Sequence, residues 1–252
     1  MRAAPGSSYC LRRLIAGLLL LALAGCATTG GQVNPRDPFE PFNRSVDRFN
    51  DTVDRYALKP VAQAYQRFVP EPARLIVTSF FGNLDDLYTG ANNLLQAKPK
   101  DALIDVSRFV VNSTLGFFGF ADVASGIGMP KHYEDFGQTL GYWGVPSGPY
   151  LVIPLLGPST VRDAPARGVD IYASPLDLFN TTARERNVLR ALRLIDARAG
   201  LLEAEKVIDG AALDRYSLIR DGWLQRRRNA VYDGEPPEEP EMEDDSGYSE
   251  GK

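Results

Sequence analysis

The residue types that do most covalent chemistry are scarce in this 252-residue chain, which has one histidine and two cysteines. His132 has no second ligand beside it such as an HExxH pair would supply, and its neighbours Lys131, Tyr133 and Glu134 read as a surface turn. Ser147, in Pro146-Ser147-Gly148, and Ser125, in Ala124-Ser125-Gly126, lack the GxSxG frame of a nucleophile elbow. Ser125-Gly126-Ile127-Gly128 falls short of GxGxxG and of a P-loop. Asp85-Asp86 and Glu134-Asp135 are adjacent pairs that suit a helix end and a turn better than a working acid and base. Arg226, Arg227 and Arg228 stand where cations complement the C-terminal end of a helix, or where they could attract anionic headgroups. These residues predict no enzyme, no cofactor and no metal.

Cys26 is different because of what precedes it. Arg2, Arg12 and Arg13 come first, then the uncharged run Leu14 to Gly25, which ends in Leu23-Ala24-Gly25 before Cys26. That is the order of a basic n-region, an apolar h-region and small residues at a cleavage point. The run is short of the roughly 20 apolar residues that span a bilayer. The pattern resembles a bacterial lipoprotein signal, in which the cysteine is lipidated and becomes the mature N-terminus. One acyl chain binds membranes only marginally, whereas two or three hold firmly. Ala27 follows where an aspartate would favour inner-membrane retention in lipoproteins of this type, so the expected location is the outer membrane, anchored on the periplasmic side. Nucleic acid is out of reach there. Cys10 leaves with the signal and Cys26 is committed to lipid, so burial without a disulfide must hold the fold.

The elements that would position anything else are helical. Residues 1–25 form the signal, 26–36 a flexible tether, 37–232 a helical domain and 233–252 a disordered acidic tail. The body, 26–232, is nearly neutral, with 24 positive and 23 negative residues, and the tail carries nine acidic residues against one lysine. Gly234 to Lys252 has no aliphatic residue but Met242 and cannot offset its ordering entropy by burial. Phe42, Val46, Phe49, Val53 and Tyr56 recur at spacings of four and three, one stripe of an amphipathic helix. Pro60 restarts a helix with Val61, Tyr65 and Phe68, ended at Val69-Pro70-Glu71-Pro72. A further helix is predicted from Ala73 to Gln96, broken or bent near Gly82 and Gly90, and another from Lys100 to Leu115 with Pro99 at its start. Two more are predicted at Thr182 to Val207 and Ala211 to Ala230, divided by Asp209-Gly210.

Two segments between the helical halves are unusual. Phe109 to Met129 contains one charge, Asp122, with Gly116, Gly119, Gly126 and Gly128. It is long enough to span a bilayer, but four glycines and a carboxylate argue against a straight lipid-facing helix. Gly137 to Val161 has no charge in 25 positions and is interrupted by four prolines and by glycines such as Gly141, Gly144, Gly148 and Gly157. An irregular backbone facing hydrocarbon would strand its N–H and C=O groups, so this segment must be buried in protein, lie at the interface or line a cavity.

At this point the residues resemble the MlaA/VacJ outer-membrane lipoproteins. The likeness rests on Asp37-Pro38-Phe39-Glu40-Pro41-Phe42-Asn43-Arg44, Lys59-Pro60-Val61-Ala62, Val69-Pro70-Glu71-Pro72-Ala73-Arg74 and Gly82-Asn83-Leu84. It continues through Asn112-Ser113-Thr114-Leu115-Gly116, Gly119-Phe120-Ala121-Asp122-Val123-Ala124 and Phe136-Gly137-Gln138-Thr139-Leu140-Gly141, and closes on Gly148-Pro149-Tyr150 through Thr160-Val161-Arg162-Asp163. Pro146 departs from it, standing where a glycine is expected in the hairpin of better-known members. The resemblance implies an all-α fold: a ring of amphipathic helices around a central channel, with an irregular Gly/Pro-rich hairpin. It implies removal of mislocalised phospholipids from the outer leaflet, passage to a periplasmic lipid carrier, and docking on a trimeric porin. A periplasm-facing scaffold for an envelope assembly is the alternative.

Under the channel reading, the candidates that line or gate the path are Phe117, Phe118, Phe120, Asp122, Val123, Ile127, Tyr142, Trp143, Gly144, Val145, Tyr150 and Leu151. Asp122 is expected to face a polar throat or cap a helix beside it, with the phenylalanines on the apolar side. Tyr142 and Trp143 are expected at a headgroup boundary.

Overall fold

The computed structural model describes residues 34–177, 182–211 and 214–238. Cys26, the signal, most of the tether and the tail beyond Glu238 lie outside these residues. The described chain is mostly helical. Helix α1, Glu40–Val53, starts with Pro41 in its first turn and Glu40 at the positive end of its dipole. It runs through a π-helical segment, Asp54–Leu58, into α2, Lys59–Phe68. The predicted restart at Pro60 is thus a widened turn within one continuous rod, because the extra residue of a π turn relieves the clash between a proline ring and the preceding turn.

Helix α3 spans Glu71–Leu95 without the predicted break. Gly90 lies where α3 and α4 touch: a Cβ there would come within 3.2 Å of Val106 and 3.3 Å of the Ala102 carbonyl, so it permits close packing. Helix α4, Pro99–Thr114, begins at the predicted proline. The loop after it carries a one-turn helix, α5, Val123–Gly126. Helix α6, Phe136–Tyr142, is capped by Asp135, whose side chain accepts the Gln138 amide at 2.8 Å.

The all-α expectation needs a correction. Strands β1, Tyr150–Ile153, and β2, Gly157–Thr160, form an antiparallel hairpin that pairs Tyr150 with Thr160 and Ile153 with Gly157. Four-residue strands among prolines leave almost no periodic signal in the sequence. The free edge of β1 is covered by two asparagines two turns apart on one face of α1. Asn43 donates to the Tyr150 carbonyl and accepts from the Val152 amide, at 3.0 and 2.9 Å, and Asn50 does the same for Ile153 and Leu155, at 3.0 and 2.7 Å. The α1 side chains thereby act as a neighbouring strand.

Helix α7, Asp163–Tyr172, leads into a 3-10 turn at Pro175–Asp177. Thr182 and Glu185 form a capping box at the head of α8, Ala183–Gly200. The chain breaks at Leu201 instead of at Asp209-Gly210, and α9 runs Leu202–Ala211. Leu202 is buried with Ala62 and Ala199, and turning the chain there is what brings it inward. Helix α10 spans Arg215–Val231.

Contacts run from α2 to α8, from α8 to α3, from α3 to α6 and from α6 to α10. They return through Tyr216 of α10 packed on Tyr150 of β1, and through β1 to α1. The apolar core is divided accordingly into three clusters, centred on Ala62, on Phe81 with Leu84 and Leu176, and on Tyr150 with Val152 and Tyr216.

Candidate functional site

The interface of α3 and α4 is polar. Asp86, Thr89, Asn93 and Gln96 recur on one face of α3, Asp105, Arg108 and Asn112 on one face of α4, and all are buried. Phe81 and Leu84 of α3 are in the core, but other apolar side chains of the same helices point outward: Leu94 is 61 % exposed, Leu103 68 % and Val110 52 %. This inverts the usual amphipathic helix of a protein in water. Exposed apolar residues continue along α1 and α2, with Phe42, Phe49, Tyr56 and Phe68, and into Leu155 and Leu156 of the hairpin turn. Among the described residues, no helix is long and apolar enough to cross a membrane.

Arg108 is the centre of the polar seam. Its Nε lies 3.3 Å from Asp86, Nη1 donates to the Met129 carbonyl at 2.7 Å, and Nη2 bridges both oxygens of Asp122 at 3.0 and 3.2 Å. Asp122 also accepts from Asn112 at 3.0 Å and from the Ser125 amide and hydroxyl at 3.1 and 2.6 Å, and so caps α5. Partial burial works against its ionisation, but the Ser125 and Asn112 hydrogen bonds and the Arg108 charge hold its pKa down at about 2. Of the paired acids of the sequence, Glu134-Asp135 does stand at a helix start, with Asp135 capping α6, whereas Asp85-Asp86 lies inside α3. Asp86 accepts Lys131 at 2.5 Å, and Asp85 pairs with Arg193 at 2.9 Å. His132 is likewise half-buried, with Nδ1 2.9 Å from Asp105.

The loop pinned in this way carries the phenylalanine candidates on its outer side. Phe117 and Phe118 are 70 % and 69 % exposed, their rings 5.4 Å apart, and both have positive φ, 52° and 60°. Two bulky residues in succession in the left-handed region are strained, and the surrounding hydrogen bonds hold them there. Phe120 leans back on Phe80 of α3 at 5.9 Å. Val123 opens α5 half-buried and Ile127 ends it exposed.

The second irregular segment meets a cavity of about 1010 Å³ between α6, the 144–149 loop and the last turns of α10. Of the sequence candidates, Gly144 and Val145 line it. Tyr142 and Trp143 stand at the end of α6, with Lys98 5.3 Å from the Tyr142 ring and Trp143 Nε1 donating to the Leu95 carbonyl at 2.8 Å. Tyr150 is a core residue, 1 % exposed and packed against Tyr216 and Trp223, while Leu151 is half-buried.

Sequence reasoning singled out Arg227 and Arg228 but missed how the arginines of this cavity are seated. Gly137 and Gly141 lie on one face of α6, where a Cβ would stand 2.3 Å from Arg227 Nη2 and 2.6 Å from Arg162 Nη1 respectively. The bare helix face seats two guanidinium groups. Arg227 turns inward to Asp135, at 2.5 and 2.7 Å, and to Asp163, at 2.9 and 3.0 Å, in place of the predicted role at the helix end. Burial opposes charge on Asp163, but hydrogen bonds from Arg227 and Arg162 hold its carboxyl below the usual carboxylate range. Arg162 and Asp163 were visible as part of a motif, yet nothing in their spacing marks the partner 64 residues away.

A polar seam inside and exposed apolar faces outside define a mostly helical protein whose side-chain distribution is inverted relative to a protein in water. The chain belongs to the MlaA lipoprotein family, whose profile matches residues 35–230. It is 35 % identical over 227 residues to the intermembrane phospholipid transport system lipoprotein MlaA of Escherichia coli K12, covering 86 % of this chain and 88 % of that one. The protein of the same description in Haemophilus influenzae is 33 % identical over 235 residues, covering 90 % and 93 %. A solved structure from work on the structural basis for maintenance of bacterial outer membrane lipid asymmetry superposes with a TM-score of 0.65. That structure is 32 % identical in sequence, and the match covers 77 % of this chain and 98 % of the other.

Proposed function

We propose that this chain is an outer-membrane lipoprotein that removes mislocalised phospholipids from the outer leaflet and passes them, through an amphipathic channel, to a periplasmic carrier. Lipid on Cys26 would anchor it on the periplasmic side, beside a trimeric porin. The observation that carries the reading is the inverted distribution of side chains: buried polar stripes on α3 and α4 under exposed Leu94, Leu103 and Val110. A ring of such elements sits in lipid at its rim and offers polar groups within. The return of the helix contacts to their starting point supports a ring, and the descriptions of the relatives support phospholipid as cargo.

In this reading Phe117, Phe118, Phe120, Val123 and Ile127 meet acyl chains, Tyr142 and Trp143 mark the headgroup level, and Gly144, Val145 and Leu151 belong to the path. Tyr150 supports it from the core. Asp122 fixes the wall by holding Arg108. No covalent step is required.

The test is to express the protein with Cys26→Ser and ask where it goes and what it carries. Membrane partitioning that survives loss of the anchor, with phospholipid co-purifying from detergent, is the expected result. A protein that becomes fully soluble and lipid-free is a scaffold tethered only by its lipid.

A further inference from the structure

Three successive residues of the loop after α4, Phe117, Phe118 and Gly119, have positive φ, at 52°, 60° and 81°. In a left-handed run the Cβ of each phenylalanine crowds the following carbonyl, so the run persists only where its surroundings fix it from more than one side. On one side the turn closes on the last carbonyls of α4, with the Phe118 amide 3.0 Å from that of Ser113 and the Gly119 amide 2.8 Å from that of Asn112. On the other side stands Asn83 of α3, which is 3 % exposed. Its Nδ2 donates to Ser113 Oγ at 3.0 Å, and its side chain lies against Gly119, where a Cβ would come within 2.4 Å of Nδ2 and 2.8 Å of Asn83 Cβ and Cγ. One amide thus grips both ends of the turn. Phe80, about one helical turn back on the same face of α3, takes Phe120 at 5.9 Å. Asn83 Oδ1 is buried without a hydrogen-bond partner, so the residue costs the fold an unmade acceptor. Its bond to Ser113 and its contact with Gly119 locate the turn.

We infer that Asn83 is a positioning residue for lipid removal, which through Ser113 and Gly119 fixes the depth and direction at which the exposed Phe117 and Phe118 enter the acyl region. The inference rests on the phospholipid reading above and adds to it the residue that aims the apolar tip. Asn83 is buried and meets no lipid itself. Arg108 fastens the far end of the loop through Asp122 and Met129, whereas Asn83 acts on residues 113 and 119, on either side of the two phenylalanines.

The test places a nitroxide at Phe118→Cys in the full-length protein, in vesicles of equal parts phosphatidylethanolamine and phosphatidylglycerol, and reads its collisions with oxygen against those with a water-soluble nickel chelate. A second nitroxide at Leu103→Cys, on the exposed face of α4, reports whether the rest of the molecule moves. Ser113→Ala should raise the displaced population of the Phe118 probe about fivefold, the worth of one hydrogen bond, and Asn83→Ala about tenfold, because the contact with Gly119 goes too. The Leu103 probe should keep its depth in both. In cells with either variant, free of probes, as the sole copy, phospholipid should accumulate in the outer leaflet at unchanged protein level. Should Asn83→Ala not fold, Ser113→Ala carries the test alone. A Phe118 depth unchanged by the variants overturns the inference, as do equal shifts of both probes, or normal lipid removal with the tip displaced. If wild-type protein carries phospholipid in any of these cases, the conduit reading stands without this role for Asn83. A wild-type Phe118 probe that lies in water, on a protein free of lipid, brings down that reading and the inference with it.

Discussion

Arg108 lies under the 115–129 loop and Arg162 beside the 143–149 loop, and the two hold irregular segments of the chain with very different numbers of partners. Arg108 is 0 % exposed and meets two carboxylates, a carbonyl and a serine hydroxyl, so that each of its nitrogens is occupied. Arg162 is almost as deep, yet one carboxylate and one distant carbonyl leave Nη2 idle. A satisfied buried charge network favours one arrangement of its neighbours, because any displacement strands charges away from water. A buried cation with a donor left unmade holds its neighbours less firmly. The first loop is therefore built to stay, with its strained Phe117-Phe118 tip held outward, and the second is held by fewer bonds.

The largest effect that could break this contrast is Arg108→Met. It leaves Asp86 and Asp122 facing each other without their shared cation and should cost about 3–5 kcal/mol, read from denaturant unfolding in detergent. A loss below about 1 kcal/mol would mean that the seam does not fasten the loop. Asp122→Asn should cost about 1.5–3 kcal/mol, because it weakens charge-assisted bonds to Arg108 and Ser125. Since the folded carboxyl titrates near 2, below its ordinary 3.8, its stabilisation is fully present above about pH 4 and is lost as pH falls towards 2. The gap between wild type and Asp122→Asn should close over that window.

The two glycines of α6 sharpen the contrast from the other side. An alanine Cβ at 137 would meet Arg227, which four short bonds to Asp135 and Asp163 hold in place, and overpacking there should cost about 2 kcal/mol. At 141 the nearest atom belongs to Arg162, whose loosely held edge can yield, so Gly141→Ala should cost less, about 1 kcal/mol. Equal or inverted losses in thermal unfolding would remove the difference claimed between the two arginines.

Helices α1 to α4 were legible because their apolar spacings and prolines are local signals: Pro41, Pro70 and Pro99 each stand at or beside a helix start. The buried polar stripe was not, since Asp86, Asn93 and Gln96 look like a solvated face until a second such helix covers them. Arg226, Arg227 and Arg228 look alike in sequence, but successive helical residues point about 100° apart, and Arg227 is the one that reaches Asp135, 92 positions away. Ion pairs at that separation carry no periodicity. The β hairpin was hidden for a different reason, because its missing edge partners are supplied by Asn43 and Asn50 of a helix.

The smallest effect concerns the acidic tail. Pro236 lines the cavity, and Arg228 donates to the Pro237 carbonyl, so the chain leaves the described body at the mouth of the arginine-walled site. Residues 239–252 then bring six carboxylates and one lysine on a segment with nothing aliphatic to bury but Met242. Deleting them should leave stability within about 0.5 kcal/mol, as for surface changes that remove no packing. It should raise affinity for an anionic phospholipid slightly, because the tethered carboxylates repel its headgroup. At about 0.15 M salt, where the screening length is about 8 Å, the gain should be under about twofold, and at about 0.01 M it should grow several-fold. A gain that ignored salt would point to a direct plug instead of a field. No gain at low salt would mean that the tail does not act on headgroup binding through charge.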